Sequence, residues 1–353
     1  MSAPRLSIAT IATAAPMGAQ AYERHIIARA ANALTSLSGD TWRVRELVTR
    51  SLRSPLTGDR RLPMGYIAKA PVAVRREAGR LLYAGDTVSH RMSLELPPAP
   101  RGDVVTLHDI VAWRFPDESA PVPAAIAELR RAAAVICVSE FSAQEAIDLI
   151  GIRDPHIVHN GVDDPYFDAA PLERSSLIGL GLDGPYVLHA GGAARRKNLE
   201  ALASAWPIVR RERPHLELAL SGPPHPRRTE LFDGMPGVRL LGRLPSELMP
   251  GLVAAADAIV VPSLYEGFGL PVLEGFAANV PVVAADTSSL PEVAGSAALL
   301  VAPDAAAIAA GIIDATSGDP TIARMIAEGR SRAAGFTWER SAAAHARVWE
   351  SVS

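Results

Sequence analysis

Cysteine occurs once in the 353 residues, at Cys137, which excludes both a disulfide framework and a cysteine-based zinc cluster. Lysine is almost as scarce: of 35 basic residues only two, Lys69 and Lys197, are not Arg. The formal net charge is −3, so the whole-chain electrostatic footprint of a nucleic-acid binder is missing and no nucleic-acid partner is expected. No stretch approaches the ~20 apolar residues of a membrane span. The nine His residues show no H-E-x-x-H spacing, and no D-x-D is present to hold a divalent ion with a nucleotide, so no metal is expected. Neither a G-x-x-x-x-G-K-[ST] phosphate loop nor a G-x-S-x-G elbow occurs.

What is present is an ordinary globular balance, 48% apolar and 21% charged, in a chain long enough for two domains of about 150–200 residues. Strand-like and helix-like segments alternate from end to end, the pattern of parallel α/β sheets. The run Leu6–Thr13 predicts a strand, and Gly18 opens a helix to about Leu37. That accounts for the first 20 residues better than a signal peptide does, despite the cleavage-like Ala12-Thr13-Ala14. A soluble cytoplasmic protein is therefore expected. Further strands are predicted at Thr41–Thr49, Val104–Leu107, Ala134–Val138 and Ile157–His159, with residues 50–70 as a loop before a helix at Val72–Leu82.

Around residues 165–184 Pro, Gly, Asp and Ser cluster without a strand, which marks a domain boundary. After it, strands at Tyr186–His189, Leu216–Ser221, Val238–Leu241, Ala258–Val261, Val282–Ala285 and Ala298–Val301 alternate with helices, and a last helix opens at Thr337. The expected fold is α/β, with two doubly wound domains over 1–170 and 171–336 and a terminal helix over 337–353. Such sheets bind ligands at the carboxyl ends of their strands, so function is sought at the strand exits.

The densest exit is Pro262–Glu274, P-S-L-Y-E-G-F-G-L-P-V-L-E. A buried strand delivers a loop with Glu266, Gly267 and Gly269, and Pro271 sits in the first turn of a helix, where its missing N–H costs nothing. Backbone N–H groups at such a helix start make an anion seat. Glu266 and Glu274 flank it, and a carboxylate accepts from vicinal sugar hydroxyls. An isolated Glu pair would be no more than a solvated helix entry; the whole string is more than that. The second exit, Gly191-Gly192-Ala193-Ala194-Arg195-Arg196-Lys197-Asn198, sets three consecutive cations beside a Gly-Gly turn, suited to phosphate oxygens. A bare R-R-K run is commonly a solvated loop, and its place at a strand exit argues otherwise. The third exit, His108-Asp109, and the lone Gly18 are weak signals by themselves.

Together these strings resemble glycosyltransferase family 4, retaining enzymes of the two-domain GT-B fold that use nucleotide-sugar donors. Pro262–Glu274 is similar to that family's E-x7-E signature. Arg196-Lys197-Asn198, Val138-Ser139-Glu140-Phe141-Ser142, Asn160-Gly161-Val162-Asp163, His108-Asp109, Pro281-Val282-Val283, Leu290–Gly295 and Phe336-Thr337-Trp338-Glu339 support the likeness, which is strongest to the mannosyltransferase-like branch that builds bacterial surface polysaccharides.

The resemblance implies two Rossmann-like domains facing a cleft, with the last helix crossing back onto the N-terminal domain. Glu274 would hold the donor ribose, and Glu266 would lie beside the transferred sugar. Phe268, Gly269 and Leu270 would offer N–H groups to the sugar and diphosphate, and the Gly191-Gly192 turn with Arg196 and Lys197 would neutralise the diphosphate. His108 would reach the donor sugar, while Gly18 and Asp109 would lie on the acceptor side. Many members carry an Arg where Gly192 stands, so neutralisation here would rest on Arg196 and Lys197, with Arg195 nearby. The implied reaction is metal-independent transfer of a hexose, with retention, to a glycan, lipid-linked or small-molecule acceptor. GDP-mannose is the first expectation for the donor and a UDP-hexose the second; no further cofactor is implied. A lipid-linked acceptor would bring the protein to the inner membrane face. Other GT-B activities (sugar phosphorylase, sugar-nucleotide hydrolase) and a non-catalytic sugar-nucleotide-binding protein remain the alternatives.

Overall fold

Short aliphatic strands assemble into two separate sheets, each wholly parallel. The computed structural model describes residues 3–14, 18–39 and 41–353. Its first sheet holds β1 (Arg5–Ile11), β2 (Arg43–Ser51), β3 (Arg60–Leu62), β4 (Val88–Arg91), β5 (Asp103–Leu107), β6 (Ala134–Cys137) and β7 (His156–Ile157), in the order β3-β2-β1-β4-β5-β6-β7. The second holds β8 (Tyr186–Ala190), β9 (Glu217–Ser221), β10 (Val238–Gly242), β11 (Ala258–Val261), β12 (Val282–Ala285) and β13 (Leu299–Val301), in the order β10-β9-β8-β11-β12-β13. Both orders are doubly wound: the chain works outward from the first strand, then returns to its other side. One unit comprises Met1–Gly161 with Trp338–Ser353, and the other Val162–Thr337.

The predicted strands and helices recur with ends shifted by a residue or two, with two exceptions in the first sheet. Residues 50–70, read as a loop, contain β3, an edge strand of three residues that pairs only with β2. Residues 83–103, for which no strand was predicted, contain β4, which lies between β1 and β5 near the middle of the sheet. The cause is chemical. Three of its four residues, Ser89, His90 and Arg91, are polar and fully buried, so no apolar run announces it. Pairing makes that burial tolerable. Arg91 forks onto Asp103 at 2.9 Å through both nitrogens and reaches Glu128 at 3.3 Å. Glu128 also takes the buried Arg75 at 2.6 Å, and Arg75 spends its remaining donors on the carbonyls of Ile67, Leu94, Glu95 and Leu96. Two guanidinium groups and two carboxylates thus leave no net charge in the core.

The last helix, Trp338–Ser351, packs on the long first helix, Gly18–Ser38. His25 stacks on Trp338, and Arg29 pairs with Glu339 at 2.7 Å. Beneath them runs a buried chain of hydrogen bonds whose direction is set by its ends, because the Trp349 indole only donates and the Ser341 carbonyl only accepts. Trp349 donates to His90 Nδ1 (3.2 Å), His90 Nε2 to Thr106 (2.8 Å), Thr106 to the Tyr22 hydroxyl (2.8 Å), Tyr22 to His345 Nε2 (2.6 Å), and His345 Nδ1 to Ser341 O (2.8 Å). Each histidine must be neutral for the chain to close. Burial, with the neighbouring His108 adding to it, lowers His345 to about 4 against the hydrogen bond that it donates to the Ser341 carbonyl, and burial with His345 and His108 nearby holds His90 well below its ordinary value.

The sign of the pH dependence follows. Histidines depressed by folding stabilise the native state above their ordinary value near 6.5, and that stability is lost as the pH falls toward 4, because the unfolded chain takes up protons that the folded one refuses. The expected slope reaches ~1.4 kcal/mol per pH unit for each such histidine. Thermal unfolding of the wild type and His345→Phe between pH 7 and 4.5 checks this: the variant starts less stable and loses stability more slowly. Parallel curves would refute it.

Candidate functional site

In the second sheet the winding reverses between β8 and β11, and the two densest sequence strings are the exits of those two strands. A ligand crevice opens at such a reversal because the flanking crossovers leave in opposite directions. The β8 exit runs through Gly191 and Gly192 into a single 3-10 turn, Arg195–Lys197, and then the helix Leu199–Glu212. Asn198 takes a left-handed conformation (φ 55°), and its amide donates to Pro262 O (3.0 Å) and Pro303 O (2.9 Å), tying the basic turn to the β11 exit. The Leu264 N–H donates to Arg196 O at 2.7 Å and adds a second tie.

Those ties bring Arg196, Lys197 and Glu266 together. Lys197 Nζ lies 2.6 Å from Glu266 Oε1, Arg196 Nη1 lies 3.6 Å from Oε2, and the Ser263 hydroxyl donates to Oε1 at 2.7 Å. Glu266 is buried, which alone would raise its pKa; the charge and hydrogen bond of Lys197, then Arg196 and Ser263, hold it below its ordinary value. It is therefore a carboxylate at neutral pH. Its backbone is braced as well, since Ser288 accepts from its N–H (3.0 Å) and the buried Ser289 hydroxyl donates to the carbonyls of Glu266 (3.0 Å) and Phe268 (2.8 Å).

The helix Leu270–Ala277 begins at Gly269, whose φ of 108° suits only glycine. A Cβ there would also stand 2.8 Å from Leu290 Cδ2. The N–H groups of Gly269 and Leu270 have no partner among the described residues, as expected of a helix start. Phe268 is buried beside them. Glu274, on the same helix, is half-buried and bonds with Tyr166 rather than with the Lys197–Glu266 group. Burial, with Asp163 adding to it, pushes its carboxyl up to about 7 against the Tyr166 hydrogen bond.

The remaining predicted residues belong to the first unit. His108 leaves β5 half-buried, edge-on to Tyr22 at 4.7 Å between ring centroids. Its Nε2 has no hydrogen-bond partner among the described residues, and burial lowers it to about 4 although Asp109 opposes that, so it is neutral at pH 7. Asp109 accepts from the N–H of Val111, the first residue of the short helix Val111–Arg114, at 3.0 Å. Gly18 opens the first helix with space where a Cβ would be, and residues 15–17 of the loop before it lie outside the described residues.

Residues 184–317 match the model of glycosyl transferases group 1, and residues 13–165 that of glycosyltransferase family 4. The chain is similar to O-antigen chain mannosyltransferase B of Escherichia coli, 33% identical over 299 residues that cover 79% of this chain and 78% of that protein. The chain belongs to the family 4 glycosyltransferases. Another relative is the alpha-maltose-1-phosphate synthase of Mycolicibacterium smegmatis, 30% identical over 62% of this chain and 63% of that one. Among solved structures, sucrose-phosphate synthase from Thermosynechococcus elongatus superposes with a TM-score of 0.74 at 21% identity, covering 99% of this chain and 98% of that chain. Anabaena HepE in complex with UDP and glucose gives 0.74 at 20%, covering 99% and 100%. The fold is GT-B.

Sequence reasoning missed several residues of this glycosyltransferase's second-sheet site. Tyr166 reaches Glu274 from a segment with no recognisable pattern. Ser288 and Ser289 brace the Glu266 loop from the β12 exit. Arg227 and Arg228, in the helix Pro226–Phe232 after β9, reach the Gly191–Ala193 turn. Only the adjacency of two arginines at a strand exit signalled the last pair. The geometry at Gly269 supplies a direct check: Gly269→Ala is expected to cost about 1–3 kcal/mol in denaturant unfolding, and an unchanged midpoint would show that the loop tolerates a side chain.

Proposed function

We propose that this enzyme transfers a hexose with retention of anomeric configuration from a nucleotide-diphospho-sugar, without a metal ion, and that the donor occupies the β8–β11 crevice. The observation that carries the reading is the Lys197–Glu266–Arg196 group at the winding reversal. Breaking a glycosyl phosphate bond builds positive charge at the anomeric carbon and negative charge on the departing diphosphate. Fixed cations and unpaired N–H groups are the means of stabilising the latter. Lys197, paired with Glu266, exchanges that carboxylate for a phosphate oxygen when the donor binds, and Arg196 assists.

Glu266 then lies beside the transferred sugar, its negative charge suited to the developing oxocarbenium. The acceptor oxygen attacks on the face from which the diphosphate leaves, and a leaving-phosphate oxygen takes the acceptor proton, so no side-chain nucleophile is required. Glu274 accepts from the donor ribose hydroxyls. In the first unit, His108 is assigned to the donor sugar, and Gly18 and Asp109 to the acceptor side. Mannose from GDP-mannose is the favoured donor, supported by the relative named as an O-antigen chain mannosyltransferase; that name also supports a growing polysaccharide as acceptor. A UDP-hexose is second, supported by the fold neighbour that holds UDP and glucose. A lipid-linked acceptor would bring the protein to the inner membrane face.

A panel of nucleotide sugars scored by nucleotide release tests the reading. Lys197→Ala is expected to lose about 10²-fold or more in turnover, and Glu274→Ala to raise the donor KM. Because a carboxylate must accept from the ribose, the donor KM of the wild type is expected to fall as pH rises from 6 to 8, and Glu274→Gln to flatten that profile. Chelator is expected to leave activity intact. Wild-type kinetics in both alanine variants would overturn the site. Orthophosphate-dependent turnover would indicate a phosphorylase, and binding without turnover a sugar-nucleotide-binding protein.

A further inference from the structure

Arg228 is 3% exposed, yet among the described residues it has no carboxylate partner and its Nε has no hydrogen-bond partner. Buried charges are ordinarily paired. This one spends its donors on two backbone carbonyls, Gly191 O at 2.5 Å and Pro223 O at 3.2 Å. Its neighbour Arg227 donates to Ala193 O at 3.0 Å while pairing with Glu200 at 2.8 Å. Two consecutive arginines therefore hold two alternate carbonyls of the G-G-A-A turn. The fit is close: Gly222 has a φ of 143°, and a Cβ there would collide with the Gly191 carbonyl and stand 2.9 Å from Arg228 Nη2.

The consequence lies in the next peptide along. No cis peptide bond occurs among the described residues, so each N–H points opposite to the carbonyl before it. With the carbonyls of Gly191 and Ala193 turned toward the arginines, the N–H groups of Gly192 and Ala194 point the other way. Neither has a hydrogen-bond partner among the described residues. The Gly191 N–H is tied to Ser221 O of β9 at 3.0 Å, so the arginines hold the β9 side of the turn. The free amides therefore point away from the arginines, and the strand on the other side of β8 is β11, whose exit carries Glu266.

We propose that Arg227 and Arg228 are positioning residues, a carbonyl clamp that turns the Gly192 and Ala194 amides toward the donor's diphosphate, with the unpaired charge of Arg228 behind them. The clamp rests on the reading of this crevice as a nucleotide-sugar site. It supplies from backbone N–H groups what the glycine at 192 cannot supply from a side chain.

Titration of GDP, UDP, guanosine and uridine, by calorimetry and ligand-detected NMR, tests it. Arg228→Met is expected to weaken nucleoside diphosphate binding about tenfold or more while leaving nucleoside binding within about twofold. Arg228→Lys is expected to recover part of the loss. Arg227→Met, at a more exposed position, is expected to show the same phosphate-selective loss on a smaller scale, and it decides the matter if Arg228→Met does not fold. Undiminished diphosphate affinity in the folded variants, or equal loss for nucleosides and diphosphates, would overturn the clamp. A wild type that binds neither diphosphate would instead overturn the nucleotide-sugar reading itself.

Discussion

The ion pair between Lys197 and Glu266 joins the two halves of the second-sheet site. It links the exits of β8 and β11, the two strands at which the winding reverses, and it holds a buried carboxylate in its charged form. Glu266 is affordable in that position only because Lys197, Arg196 and Ser263 surround it. Conversely, Lys197 is held in the crevice only because Glu266 is there to receive it. Removing Glu266 leaves Lys197 without its carboxylate, and removing Lys197 leaves the buried Glu266 with only the longer contact to Arg196 and the Ser263 hydroxyl, so breaking the pair costs more than the pair itself contributes. The serines of the β12 exit brace the same loop from behind, so the geometry around Glu266 is set by three strand exits at once.

How far this was legible depended on where each residue finds its partners. The alternation of strands and helices, the family resemblance and the Pro262–Glu274 and Gly191–Asn198 strings could be read directly, because each is carried by residues adjacent in the chain. The count of two lysines acquired a meaning only when Lys197 fell inside one of those strings. β4 could not be read: His90 and Arg91 are core residues because Thr106, Asp103, Glu128 and Trp349, all at least twelve residues away in sequence, satisfy them, and the Ser89 hydroxyl donates to Asp86. Tyr166 was invisible for the same reason, and Arg228 was signalled only by its adjacency to Arg227 at a strand exit. A polar residue that is buried by its partners carries no local signal of burial.

The same logic governs both units. In the first, a chain of five directed hydrogen bonds fixes two histidines in one tautomer each and fastens the last helix to the strands beneath. In the second, two arginines take carbonyls from one side of a turn and thereby decide which amides remain free on the other. In each case a donor-only group sets the direction for everything downstream. His189 fits the pattern too: its Nδ1 donates to Val260 O at 3.2 Å, and its Nε2, without a partner among the described residues, lies beside Gly191.

The most direct measurement is a crystal structure of the enzyme with a nucleoside diphosphate or an unreactive nucleotide-sugar analogue. Diphosphate oxygens are expected within ~2.7–3.2 Å of Lys197 Nζ, with Lys197 released from Glu266 and the ribose hydroxyls on Glu274. A diphosphate bound away from the β8 and β11 exits, or one bound there with Lys197 still paired to Glu266, would contradict the account.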